Sequence, residues 1–137
     1  VFFYKLVDGI GVVYYVAVRK DCEGKGLGKT LVLSAEEVLN RESCRIFLAS
    51  TQLSNEASRA LFRSLGYEEF ELDELYQRYG TSVDLLVESL CAYEDDLILV
   101  KGSSIENVLR SLLKNRTVVK RVWRDICYKP WIELWKS

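Results

Sequence analysis

The sequence predicts an α/β domain, a mixed central sheet flanked by helices, on three observations. Two β-branched and aromatic runs at the start, Val1–Val7 and Val12–Val18, are separated by Asp8-Gly9-Ile10-Gly11, the composition of a hairpin. A glycine-rich loop, Glu23 to Thr30, divides the second run from a stretch with helical apolar spacing. A further strand and helix follow directly, and two successive strand and helix units imply a parallel pair joined by a crossover. The 137 residues suit a single domain, and 49% hydrophobic against 28% charged residues is the balance of a folded chain, not a disordered one.

Each element has its own signal. Val1 to Val7 carries Lys5 as its one charge, and Val12 to Val18 has none, so both faces of the second strand are expected to be buried. From Lys29 to about Asn40 a helix is expected to bury Leu27, Leu31, Ala35 and Val38. Ile46 to Ala49 forms the apolar centre of the next strand. Ser54 and Asn55 are helix N-caps, Ala57, Leu61 and Leu65 follow at helical spacing, and Gly66 is placed to end that helix in a left-handed conformation. Tyr67 to Leu72 reads as a strand. Ser82 to Ala92 reads as a helix burying Val83, Leu86, Val87 and Leu90. Leu97 to Val100 is then a strand, and Ser104 to Lys114 a helix burying Ile105, Val108, Leu109, Leu112 and Leu113. Thr117 to Trp123 alternates as a strand should, Trp131 to Trp135 reads as one more, and Pro130 marks a local break.

Composition removes several kinds of chemistry. The chain has no histidine, and Cys22, Cys44, Cys91 and Cys127 are widely spread, which excludes His-based catalysis and the usual zinc spacings; no metal site is expected. The cysteines read as buried thiols. No apolar run approaches the ~18 residues of a membrane helix, and Val1 to Leu6 lacks the layout of a signal peptide, so the expectation is a soluble, cytoplasmic protein without membrane contact. Charge is uneven: residues 1–100 sum to −7 and residues 101–137 to +6, and all three tryptophans, Trp123, Trp131 and Trp135, lie in the basic part. Such a tail offers phosphate contacts and stacking to nucleic acid; the favoured alternative is that it packs back on the acidic body around Glu68, Glu69, Glu71, Asp73 and Glu74.

The glycine loop carries the chemistry. Glycines at positions 24, 26 and 28 let backbone approach a ligand, and amides at a helix start favour phosphate. Gly28-Lys29-Thr30 matches the end of the nucleotide-hydrolase pattern GxxxxGK[ST], but counting back from it the opening glycine falls on Glu23. The dinucleotide pattern GxGxxG fails because Lys29 occupies its third glycine. By contrast, Val16-Ala17-Val18, the step to Glu23 and then Gly24 to Lys29 resemble the acyl-CoA loop of the GNAT superfamily of N-acetyltransferases. Downstream, Asn55-Glu56-Ala57-Ser58-Arg59-Ala60-Leu61-Phe62-Arg63-Ser64-Leu65-Gly66-Tyr67 resembles that superfamily's Asn-led helix closing in Leu-Gly-Tyr. The resemblance spans about Val12 to Leu72.

What the resemblance implies is a GNAT-like core over residues 1–72 that binds acetyl-CoA or another acyl-CoA as co-substrate and passes the acyl group to an amine. Lys25, Gly26, Leu27, Gly28, Lys29 and Thr30 would hold the pyrophosphate, Val16 and Val18 would pair with the pantetheine arm, and Asn55 would help to position it. The acid that protonates the departing thiolate is commonly a tyrosine on the second helix, where this chain has Phe62; Tyr14, Tyr15 and Tyr67 are the candidates in its place, with water as another route. The alternative is a catalytically degenerate acyl-CoA-binding or interaction module with a basic, Trp-rich tail. Members of the family also place a strand, two helices and a strand before the hairpin. The strand, helix, strand order expected after Leu97 suggests that residues 73–137, an atypical C-terminal extension, replace them by permutation or subunit exchange. The exposed hairpin and the tail leave room for a homodimer.

Overall fold

A computed structural model describes residues 2–15 and 26–136 of the chain. Strands β1 (Phe2–Val7) and β2 (Ile10–Tyr15) form the expected hairpin, antiparallel and turned at Asp8 and Gly9. Helix α1 (Leu27–Arg41) leads to β3 (Ile46–Thr51), which lies parallel to β2 as the strand and helix alternation required. Helix α2 (Glu56–Ser64) and β4 (Glu68–Glu71) follow, then α3 (Leu72–Tyr79), α4 (Val83–Leu90), β5 (Leu97–Lys101) and α5 (Ile105–Lys114). The described strands make one mixed sheet in the order β1-β2-β3-β5-β4, with β5 antiparallel to both its neighbours.

Each face of the sheet has its own core. Val13, Phe47, Ala49, Leu97 and Leu99 pack with Val32, Ala35 and Leu39 of α1 and Phe62 of α2. On the other face Leu6, Ile10, Val12, Leu48, Ile98 and Val100 pack with α3, α4 and α5. The buried stripe of α1 is Val32, Ala35, Glu36 and Leu39. The expected stripe shared only Ala35 with it, and Leu27 and Val38 are exposed. The i, i+3, i+4, i+7 set beginning at Val32 wins because Leu39 must meet Gly11, where an added Cβ would lie 2.7 Å from a Leu39 methyl. Leu113, expected in the core of α5, is likewise exposed. Helix α2 begins and ends as read: the Asn55 side chain accepts from the Ser58 amide at 3.0 Å, and Gly66 at φ 95° lets the Tyr67 amide reach back to the Phe62 carbonyl.

The C-terminal portion departs from expectation. Thr117 to Trp123 lies within a helix, α6 (Arg116–Trp123), and Trp131 to Trp135 within another, α7 (Lys129–Lys136), joined by a π-helical turn at Arg124–Tyr128. The run Thr117-Val118-Val119 favours strand locally, but Val118, Val119 and Val122 also share one helical face, and that face packs on the main core. The π turn ends two residues before Pro130, whose ring would crowd the carbonyl four residues back in a regular α-helical turn. Strand β5 does pair with the main sheet, but between β3 and β4, at the far end from β1. The strand, helix, strand order is therefore absent, and the segment after α5 that packs against β1 is a helix. Helix α3 was not anticipated. The tail does pack back, through Lys120 to Glu88 of α4 at 2.7 Å and not on the Glu68–Glu74 cluster, where Glu69 is held by Arg59 and Arg63. The reading of all cysteines as thiols is also corrected: Cys91 and Cys127 form a disulfide, while Cys44 is free and buried. No helix among the described residues is long and apolar enough to cross a membrane.

Candidate functional site

The site grows from the way two strands part. The parallel ladder runs from Ile10↔Ile46 to Val12↔Leu48, and among the described residues it stops there, although β2 continues to Tyr15 and β3 to Thr51. Strand ends freed from a ladder present amides and carbonyls that need other partners. Helix α1 is antiparallel to β2, since Leu39 near its end lies against Gly11 near the strand's start. Its N-terminus thus points toward the open end of the strands. There Gly26 is the N-cap, at φ 76° with nothing within 4 Å of an added Cβ, and the Thr30 hydroxyl donates to the Gly26 carbonyl at 3.2 Å. The first-turn amides of such a helix have no acceptor within it and carry the positive end of its dipole.

Alternation puts Tyr14 on the same side of the sheet as Val12, and Ser50 on the same side as Leu48, facing away from α1. Both line a cleft of about 920 Å³. The loop between α4 and β5 supplies Tyr93, Glu94 and Asp95, and the tail supplies Trp123, Tyr128 and Trp131. These walls are tied together. Ser50 Oγ donates to Asp95 Oδ2 at 2.6 Å, Trp123 Nε1 donates to the Tyr93 hydroxyl at 2.8 Å, and Trp123 stacks on Tyr128 at 5.0 Å. The Cys91–Cys127 disulfide lies in the lining as well. The neighbouring loop is braced by the Leu53 amide donating to Asp96 Oδ1 at 2.6 Å and Gln52 Nε2 to the Glu94 carbonyl at 3.1 Å. Burial, and then the carboxylates of Asp95 and Glu94, push the Tyr14 hydroxyl above its ordinary pKa, so it stays protonated.

The residues singled out by sequence are distributed as follows. Gly26, Leu27, Gly28, Lys29 and Thr30 form the N-cap and first turn of α1, and Asn55 caps α2. Val16, Val18 and Lys25 lie outside the described residues. Tyr14 lines the cleft; Tyr15 ends β2. Tyr67 is buried elsewhere: its hydroxyl donates to Glu36 at 2.7 Å, Lys101 pairs with the same carboxylate at 2.8 Å, and burial followed by the Glu36 bond drives its pKa far up. Phe62 packs edge-on against the Tyr67 ring. Sequence reading missed Ser50, Tyr93, Glu94 and Asp95. The available signals were the position of Ser50 at the carboxyl end of a parallel strand and the acidic run directly before β5. Among the described residues no cluster of His, Cys, Asp or Glu could hold a metal.

Residues 2–67 match the acetyltransferase (GNAT) family. Mycothiol acetyltransferases are similar over a stretch of comparable length: that of Renibacterium salmoninarum is 33% identical over 50% of this chain and 20% of its own length. The Rhodococcus jostii enzyme is 35% identical over 50% and 23%. That of Thermobifida fusca is 37% identical over 53% and 23%. The matched segment therefore spans about a fifth of these relatives' length. Among solved structures, a chain from the crystal structure of the NatC complex bound to Gag peptide and CoA is similar in fold. Its TM-score is 0.52 at 22% identity, over 74% of this chain and 55% of that one.

Proposed function

Residues 2–67 are a GNAT-type acetyltransferase segment, and from that premise we propose that the chain transfers an acetyl or other acyl group from acyl-CoA to an amine. One observation carries the reading: β2 and β3 part after Val12 and Leu48, with the N-terminus of a 15-residue helix on one side of the gap and an aromatic cleft on the other. The freed strand ends suit an extended ligand arm, which pairs with backbone as an added strand does. The first turn of α1 suits a pyrophosphate, because Gly26 leaves the approach open and Lys29 adds charge. The residues present thus fit an acyl-CoA. Gly26, Leu27, Gly28, Lys29 and Thr30 would hold its phosphates, Asn55 would stand beside the arm, and Lys25, Val16 and Val18 complete the proposed set.

Bound acyl-CoA supplies an activated thioester carbonyl. In the transfer a C–N bond forms to that carbonyl and the C–S bond breaks. An incoming ammonium loses two protons, of which one ends on the CoA thiol and one in solvent. Tyr14 is the proposed donor to the thiol, since it lines the cleft at the gap and its hydroxyl keeps its proton. Tyr67 is committed to Glu36, and Phe62 has no proton to give. The cytoplasm, where acyl-CoA is available, is the proposed compartment.

The test is acetyl-CoA binding by calorimetry on the parent and on Gly26→Asp. Space is open at Gly26, and a carboxylate at a helix N-terminus favours the helix. The left-handed φ of 76° costs a non-glycine residue about 1 kcal/mol, least for Asn and Asp, so folding of the variant is verified by circular dichroism before its loss of phosphate affinity is read. Binding that disappears in Gly26→Asp supports the site. No binding by the parent refutes it, and binding without thioester turnover on any amine would leave a degenerate acyl-CoA-binding module instead.

A further inference from the structure

We infer that the cleft between the open strand ends and the C-terminal tail is an acceptor site for an arylalkylamine, a protonated primary amine carried on an aromatic body. The fate of that amine rests on the transfer reading above; its binding does not.

Three features point to this chemistry. Rings from three separate parts of the chain meet there: Tyr14 from β2, Tyr93 from the loop before β5, and Trp123, Tyr128 and Trp131 from the tail. Flat aromatic walls stack on a flat apolar body, and their faces attract a cation. The charged side chains in the described lining are Glu94 and Asp95, both acidic. This holds although the tail that forms the wall is strongly basic. Its Lys120 turns to Glu88 at 2.7 Å and its Lys129 to Asp125 at 3.3 Å, neither of them in the lining. A cleft so charged disfavours nucleotides and carboxylates and favours an ammonium.

The site is also built before any ligand arrives. Ser50 holds Asp95, and the Trp123 bond to Tyr93 joins the two aromatic walls, so little ordering remains to be done on binding. A volume of about 920 Å³ is at the upper end for a small-molecule site. The ammonium held at Asp95 and Glu94 would lie on the same side of the gap as Tyr14, the proposed proton donor. That places nitrogen and acid together where β2 and β3 part.

Calorimetric titration with 2-phenylethylamine, without acetyl-CoA, tests binding. The parent should bind it at least about tenfold more tightly than ethylamine, which lacks the ring, and more tightly than 3-phenylpropionate, which reverses the charge. Glu94→Gln and Asp95→Asn, which keep shape and the Ser50 bond, should each weaken it by about tenfold while acetyl-CoA binding stays as in the parent. Trp131→Ala, at an exposed ring, should weaken it and leave folding intact. Equal or tighter binding of 3-phenylpropionate, indifference to both acid substitutions, or no binding of 2-phenylethylamine overturns the proposal. So does clear preference for a phenylalanyl peptide amide over the free amine, which would make the cleft a peptide site. Loss of acetyl-CoA binding in the parent would refute the transferase reading alone, because the amine titration is read separately.

Discussion

The two faces of the sheet are finished in different ways. On the α1 and α2 side, polar groups are closed off inside the structure. Glu36, 8% exposed, is satisfied by Tyr67 and Lys101, and α2 is capped at both ends. On the other side the body is equally well packed as far as Val119, but the chain then runs on into a tail with Trp131 53% and Trp135 75% exposed. One face ends in closed networks and the other in an open aromatic wall. The difference teaches that the buried polar network and the proposed acceptor cleft fall on opposite sides, with the gap between β2 and β3 between them, while both sides carry apolar core.

Substitutions on each side should therefore fail in different assays. The largest effect is expected for Tyr14→Phe, with the rate of acyl transfer falling about 100-fold and the unfolding midpoint nearly unchanged. Since the Tyr14 pKa is raised, the parent's rate should show no loss attributable to this hydroxyl below about pH 10. If the Tyr14→Phe rate matches the parent's, the acid lies elsewhere. Lys101→Met belongs to the closed side. It leaves the Glu36 carboxylate without its cation and should cost about 2 kcal/mol in urea unfolding, with binding of 2-phenylethylamine retained. Asn55→Ala removes one cap and should cost about 1 kcal/mol by the same measurement. The smallest effect is a pH effect at Glu69, whose pKa is lowered to about 2, first by the Arg59 hydrogen bond. A carboxylate depressed in the folded state stabilises fully above its unfolded pKa of about 4.3 and loses that contribution as pH falls toward about 2. Glu69→Gln should flatten the acid limb in that window; an unchanged limb would mean that Arg59 and Arg63 contribute nothing there.

Legibility followed locality. The Asn55 cap and the Gly66 termination depend on a few adjacent residues, and both stand as read. The hairpin and the parallel strand pair were readable because turn residues and alternation of element types constrain topology. Thr117 to Trp123 was misread because β-branched residues favour strand locally, whereas packing of Val119 and its neighbours on the main core decided for helix. The cleft was invisible for another reason. Tyr14, Ser50, Asp95 and Trp123 are far apart in sequence, and only the sheet order and the fold-back of α6 bring them together. Cys91 and Cys127, 36 residues apart, follow no spacing rule that would have paired them.

That pairing makes the cleft answerable to electrons. The bond fastens the π turn to the end of α4, and in the chain-entropy picture a loop of its size is worth about 4 kcal/mol. A thiol reductant delivering two electrons and two protons would turn it into two thiols, leaving the Trp123 bond to Tyr93 and ring contacts to hold the wall. Reduction would free the π turn from α4 and so act on the proposed cleft, while α6 keeps Val119 in the core and Lys120 on Glu88, and neither the sheet nor the head of α1 depends on the bond. On the proposed function, acyl-CoA binding would be indifferent to the state of this bond and amine selection would follow the surrounding thiol pool.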